Sequence, residues 1–393
     1  MLFVNNTPFP AIAWASLDKT GRNHTSLAAR ARFRFDARDE TGLWTLKLDP
    51  DQGELRGEDR FYDGDPQASV RVESDYTAYK PAADLIVNAQ AHSPGGEPAR
   101  RWLCGVRVVR LERDPEQEEV GVETLLEKVL QVTGPRQWEA VEQSGQKAWR
   151  LSEPEAVSRV PLRYEYAYGG RVLNRRWEEE DNPVSEKYLA FDERNPLGRG
   201  IVHDSLLEGD APIPAPQIED PRSPIDEITG AYTPQGFGYL HRAWQPRLAR
   251  AGTFDAQWQA QKHPLMPDDF DEAHNNGAPQ DQQIPGYLRV GDLILLQHLQ
   301  RQHPTIGLRI PGLYLKARYH REKETRPFLL QIDTLVIDLR ADAPEDWSVE
   351  IGWRARQPAL PGLERVSLGL IAAESLLKFT APHSAEDEET EES

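Results

Sequence analysis

The chain has 393 residues, with 46 basic and 64 acidic side chains and a net charge of −18. At ~150 residues per domain this length suggests about two or three domains, enough to bury a large core without a disulfide or metal staple. A hydrophobic content of 38% excludes a disordered chain, and no local run supplies the basic footprint that nucleic acid or an anionic membrane attracts.

Six of the negative charges lie in the last eight residues, leaving −12 on the remainder. The start, Met1-Leu2-Phe3-Val4-Asn5-Asn6, has no basic n-region or apolar h-region, so no cleavable signal is expected. Residues 25–35 end in strict alternation. Ala31, Phe33 and Phe35 share one face, and Arg30, Arg32 and Arg34 the other, which predicts a half-buried strand. Residues 44–48 repeat the pattern, with a hairpin connection at 39–42. Residues 83–91 and 102–111 predict a second strand pair, turned at Pro94-Gly95-Gly96. Over 119–133 the positions of Val122, Leu125, Leu126, Val129 and Leu130 fit helical spacing. A short helical piece followed by a strand is expected there.

From about 170 to 285 prolines punctuate a stretch with little periodicity, yet it carries Phe237, Tyr239, Trp244, Phe254, Trp258 and Phe270. It reads as irregular chain packed onto a core through aromatic anchors, with short helices near 253–262. Short strands return at 293–296, 307–310, 328–332, 334–339 and 348–353, a spacing of sandwich or barrel type. The fold class expected is mainly β: short-stranded antiparallel sandwich-like sheets, a long irregular Pro/Gly-rich middle and a few short helices. The organisation expected is an N-terminal β-rich domain over 1–165, the irregular region over 166–285, a C-terminal β-rich region over 286–380 and a disordered acidic tail over 381–393. The longest apolar runs, such as Leu293-Ile294-Leu295-Leu296, fall far short of the ~20 residues that span a bilayer. No membrane insertion is expected, and a single cysteine suits a reducing cytoplasm.

Reactive motifs are sparse. The chain has no Gly-x-x-x-x-Gly-Lys-Ser/Thr loop, no Gly-x-Gly-x-x-Gly after a strand, no Gly-x-Ser-x-Gly elbow and no His-x-x-x-His helix pair. No cofactor is expected. Cys104, beside Trp102, Leu103 and Val106, reads as a small buried hydrophobe. The ten tryptophans could line a sugar cleft, but read as core. One segment is dense in ligand-type side chains: Asp268-Asp269-Phe270-Asp271-Glu272, followed by His274. A turn and helix cap explain it, and that is the reading preferred. The alternative is a β-rich metal-dependent or carbohydrate-active hydrolase in which Asp268, Asp269, Asp271 and His274 hold a hard cation.

A series of short motifs runs in order along the chain. Asn5-Asn6-Thr7-Pro8-Phe9 is followed by Phe61-Tyr62-Asp63-Gly64-Asp65-Pro66 with Ser69, then Glu73-Ser74-Asp75, Lys80-Pro81 and Asp84. Pro94-Gly95-Gly96, Gly134-Pro135-Arg136 with Trp138, residues 161–170 (Pro-Leu-Arg-Tyr-Glu-Tyr-Ala-Tyr-Gly-Gly) and Asn195-Pro196-Leu197-Gly198-Arg199-Gly200 come next. Pro234-Gln235-Gly236-Phe237-Gly238, Trp244-Gln245-Pro246-Arg247, Ala251-Gly252-Thr253-Phe254-Asp255 with Trp258, and Pro267-Asp268-Asp269-Phe270-Asp271 continue it. Asn276-Gly277-Ala278-Pro279, Asp333-Thr334-Leu335 and Trp353-Arg354 complete it. Over roughly 5–355 this order resembles a bacterial family of type VI secretion effector adaptors, long filed as a domain of unknown function. Tyr166 stands where that pattern has arginine, and Phe254 where it has tyrosine.

The resemblance implies a non-catalytic, cytoplasmic adaptor or chaperone. Its partners would be a cognate secreted effector and a VgrG-type spike protein. The motif residues are mostly Gly, Pro, aromatic or Asp, which set turns and tie loops rather than build a nucleophile or proton shuttle. Tyr168, Phe237, Tyr239, Trp244 and Arg247 are the candidate partner-binding anchors, and they could equally be buried scaffold.

Overall fold

The computed structural model describes residues 1–113, 120–174, 187–321 and 324–371. The acidic tail expected from 381 lies outside them. The fold is mainly β. Its N-terminal third supplies β1 (Leu2–Asn5), β2 (Ala11–Leu17), β3 (Asn23–Arg38), β4 (Trp44–Leu48), β5 (Ala82–Asn88), β6 (Arg101–Arg113) and β7 (Val120–Thr133). The middle adds only β8 (Ile218–Glu219) and β9 (Gln283–Pro285) to the large sheet. The last third supplies β10 (Leu293–Gln297), β11 (Thr305–Arg309), β12 (Tyr314–Arg321), β13 (Glu324–Leu329), β14 (Gln331–Asp338), β15 (Ser348–Pro358) and β16 (Arg365–Ile371).

Twelve strands form one curled sheet in the order β8-β7-β6-β10-β11-β4-β3-β15-β14-β5-β9, with β2 on β3 outside this path. A second sheet runs β1-β16-β12-β13. Strands from the first and last thirds are therefore direct neighbours. β3 pairs with β15 from Arg34↔Ser348 to His24↔Pro358, and β5 pairs in parallel with β14. The shared core includes Phe9, Phe33, Phe35, Trp44, Trp347 and Trp353, with Phe9 stacked on Trp353 and Phe35 edge-on to Trp347. Cys104 is buried here, and burial pushes its thiol pKa up, away from the nucleophilic thiolate. Among the described residues no helix is long and apolar enough to cross a membrane.

Three local expectations change. The arginine face of β3 is not left to solvent: Arg30 is buried against Asp75 and Glu350, while Arg32 and Arg34 converge on the buried Asp49. The chain after β4 folds back over that face, a long-range event that alternation does not encode. From Val120 to Thr133 there is one strand and no helical piece. A register shift between Thr124 and Leu126 displaces the alternation by one position, and the apolar residues on either side then mimic helical spacing. The strands read at 83–91 and 102–111 do form, but they do not pair with each other. β5 lies between β14 and β9, and β6 lies between β7 and β10.

The middle is irregular, as expected, with short helices α1 (Asp204–Leu207) and α2 (Ala256–Gln261). Asp255 caps α2 by accepting the Trp258 N–H at 2.8 Å.

Candidate docking surface

Two buried knots fix the irregular middle on the sheet. The first centres on Asp84, fully buried on β5. Its carboxylate accepts from Lys80 Nζ at 2.8 Å, Asn276 Nδ2 at 2.9 Å, Gly277 N at 2.9 Å and Ala278 N at 3.2 Å. Lys80 Nζ also donates to Thr334 Oγ1 at 2.9 Å. Behind it Arg354 pairs with Asp333 at 3.0 Å and donates to the Thr77 carbonyl at 2.9 Å. Burial pushes the Asp333 carboxyl up, against the pull of Arg354 and Lys80. Arg247 joins the same region, donating to Glu73 at 2.5 Å, to the Leu240 carbonyl and to the His274 carbonyl at 3.1 Å. Gly277 is required by space: a Cβ there would lie 2.4 Å from the Tyr239 ring and 2.8 Å from Glu73 Oε2.

The second knot joins residues 161–170 to 195–200. The buried Asn195 donates through Nδ2 to the carbonyls of Tyr164 and Tyr168, at 2.8 and 2.9 Å. Tyr168–Gly169 pairs in parallel with Arg199–Gly200. Gly169 has φ +139°, and a Cβ would lie 2.2 Å from the Asn195 carbonyl oxygen. Glu165 ties this knot to Ser69, accepting its N–H at 3.0 Å and its hydroxyl at 2.6 Å, with Arg163 at 2.9 Å. Burial pushes the Glu165 carboxyl up, and these hydrogen bonds outweigh it and hold the group below its ordinary value. The Arg199 guanidinium lies 4.5 Å over the Tyr166 ring.

All five candidate anchors lie inside these supports. Phe237 is fully buried in the main core. Tyr239 packs with Val70, Val72, Ile86, Ala278 and Val336. Tyr168 donates to the Gly230 carbonyl at 3.1 Å, and Trp244 meets the Tyr164 ring edge-on at 5.7 Å. Arg247 is 2% exposed and donates to Glu73 and two carbonyls. Their side chains hold the middle segment from within; only Trp244 also lines an open groove.

The acidic segment divides its side chains among separate partners. Asp268 pairs with Lys262 at 2.6 Å. Asp269 accepts the Thr253 N–H and hydroxyl at 3.0 and 2.7 Å. Asp271 caps the following turn through Ala273 N, and His274 donates through Nδ1 to the Arg247 carbonyl. Among the described residues no three His, Cys, Asp or Glu side chains converge as metal ligands.

Beside the second knot lies an open groove of about 480 Å³. Residues 66–68 form one wall. The strand Arg171–Leu173 and Tyr188 form another, and Leu197, His241 and Trp244 complete it. Arg171 lies 5.7 Å over the Tyr188 ring. Burial lowers the His241 pKa, which favours its neutral form. Beside the groove Leu173, Leu189 and Phe191 are 46%, 37% and 43% exposed, and Phe191 stacks on Tyr188. Cations, aromatic faces and exposed aliphatic carbons together suit contact with a polypeptide surface. Sequence reasoning did not single out Gln67, Arg171, Leu173 or Tyr188. Their one signal is position, since they flank Ser69, Gly169-Gly170 and Asn195, which the knots consume.

A family model described as "Uncharacterized protein conserved in bacteria (DUF2169)" matches residues 20–354, and the chain belongs to that family. No curated protein and no solved structure gives a match.

Proposed function

We propose that this DUF2169 protein is a non-catalytic adaptor or chaperone. It binds a cognate type VI secretion effector in the cytoplasm and helps load it onto a VgrG-type spike protein. Much of the motif series that suggests the role is spent inside the molecule. Glu73, Lys80, Asp84, Asn195, Gly277 and Arg354 each hold one segment against another. That pattern supports a chain whose product is a fixed surface, and the observation that carries the reading is the open groove lined by Leu197 and Trp244 beside the second knot.

An effector seated there would extend over the exposed Leu173, Leu189 and Phe191, since a stable interface buries ~1,200–2,000 Å². The experiment is a pull-down, with the tagged full chain, of a type VI effector encoded next to its gene, the neighbouring effector. The effector should co-purify with wild-type protein and not with a groove variant of unchanged circular dichroism. Equal recovery with both would refute the groove as the docking surface.

A further inference from the structure

A second concavity, of about 220 Å³, opens where the ends of β3, β14 and β15 meet the ribbon formed by Arg60–Phe61 and Val70–Val72. Five arginines line it, Arg32, Arg56, Arg60, Arg71 and Arg340, against three carboxylates, Asp338, Asp346 and Glu350. Most of this charge is already matched. Arg56 pairs with Asp75 and Glu350, Arg340 with Asp338, and Arg32 with Asp49. Arg60 and Arg71 differ. Among the described residues neither has a carboxylate within ion-pair distance.

The ribbon explains how Arg71 comes to face the cleft. Val70 and Val72 alternate into a small core with Ile86 and Val336, which sends Arg71 to the opposite face. Arg60, at the irregular end of the ribbon, lines the same cleft. The Nε atoms of Arg56 and Arg71 are shielded from solvent and have no hydrogen-bond acceptor. Leaving a charged donor buried and unmatched is costly, and one oxyanion would satisfy such donors together. Two arginines without ion pairs in one cleft stand out on a chain of net charge −18.

We propose that this cleft is an oxyanion-binding site that takes a phosphate or carboxylate group through Arg60 and Arg71. Guanidinium forks match the paired oxygens of either group. The cavity is smaller than the ~300–1,000 Å³ of typical whole-ligand pockets, so it takes the anionic group and leaves the rest of its bearer outside. Free phosphate and an acidic side chain of a partner share this chemistry. The site does not depend on the adaptor role.

The test is calorimetric titration of the full chain at constant ionic strength with two probes, inorganic phosphate and a blocked tetraglutamate peptide, using wild type, Arg60→Gln and Arg60→Gln/Arg71→Gln. At least one probe should bind, with affinity reduced about tenfold or more in the variants. The tighter probe identifies the source. Arg60 is exposed, so the single variant decides the matter if the double variant does not fold. No heat with either probe, or binding unchanged in Arg60→Gln, overturns the proposal.

Discussion

The Asp84 carboxylate and the backbone N–H of Gly277 meet at 2.9 Å across 193 positions of chain. One end is rigid, because β5 is buried between β14 and β9. The other end is a loop with no sheet partner of its own. The hydrogen bond therefore transfers the rigidity of the sheet to the irregular middle, and Asn276 and Ala278 repeat it on either side.

Replacing Asp84 by Asn removes the charge opposite the buried Lys80 ammonium and places an N–H donor among four others. Breaking one partner of a buried pair costs about 3–5 kcal/mol. The urea midpoint of Asp84→Asn should fall accordingly. A midpoint within error of wild type would mean that this pair does not hold the loop.

Space makes a second demand on the same loop. Gly277→Ala forces a methyl against the Tyr239 ring and Glu73, at a cost of about 1–3 kcal/mol. Gly312 is exposed, with nothing within 4 Å of its would-be Cβ, so Gly312→Ala should change stability by no more than about 0.5 kcal/mol. Chemical denaturation of the two variants side by side separates contact from generic glycine effects.

His274 and Glu165 are two of several groups that make folding depend on pH. Burial lowers the His274 pKa from its ordinary 6.5, only partly offset by the N–H it donates to the Arg247 carbonyl. The unfolded chain then binds the proton first as pH falls. His274 contributes stability fully above about 6.5, and this is lost as pH drops toward the folded value. Glu165 acts lower: burial raises it, but Ser69 and Arg163 hold it below its ordinary 4.5. Its contribution is present above about 4.5 and lost as pH falls through the folded value. Denaturation midpoints should therefore decline on acidification in both ranges. His274→Gln should make the decline near neutrality shallower and Glu165→Gln the decline at lower pH; unchanged slopes would contradict the assignment.

The groove makes its own prediction. Leu173→Asp together with Gln67→Arg alters only exposed positions on two of its walls. Effector affinity should drop about tenfold or more, an effect of about 1.4 kcal/mol, with the unfolding midpoint preserved. Undiminished affinity would place the effector elsewhere.

The strands of the fold were legible where alternation was uninterrupted. Ala31, Phe33 and Phe35 face the core as their spacing predicts. At Val120–Thr133 the bulge near Thr124 hid the same signal. Pairing was less legible, because strands 82–88 and 331–338 meet only through a parallel, long-range contact with no local trace. The motifs were visible as motifs, yet their meaning was not. Tyr168, Phe237, Tyr239, Trp244 and Arg247 have the residue types of interface anchors, and the same types fill a core. In aperiodic chain no spacing tells the two apart. The groove residues are ordinary in type and take their significance from the knot beside them.

The most direct test of the central claim is a secretion assay that follows the neighbouring effector and an unrelated type VI effector in cells lacking this protein. The account predicts that delivery of the neighbouring effector is lost, is restored by the wild-type chain and is not restored by Leu173→Asp with Gln67→Arg, while the unrelated effector is delivered throughout. Normal delivery of the neighbouring effector without the protein would contradict it.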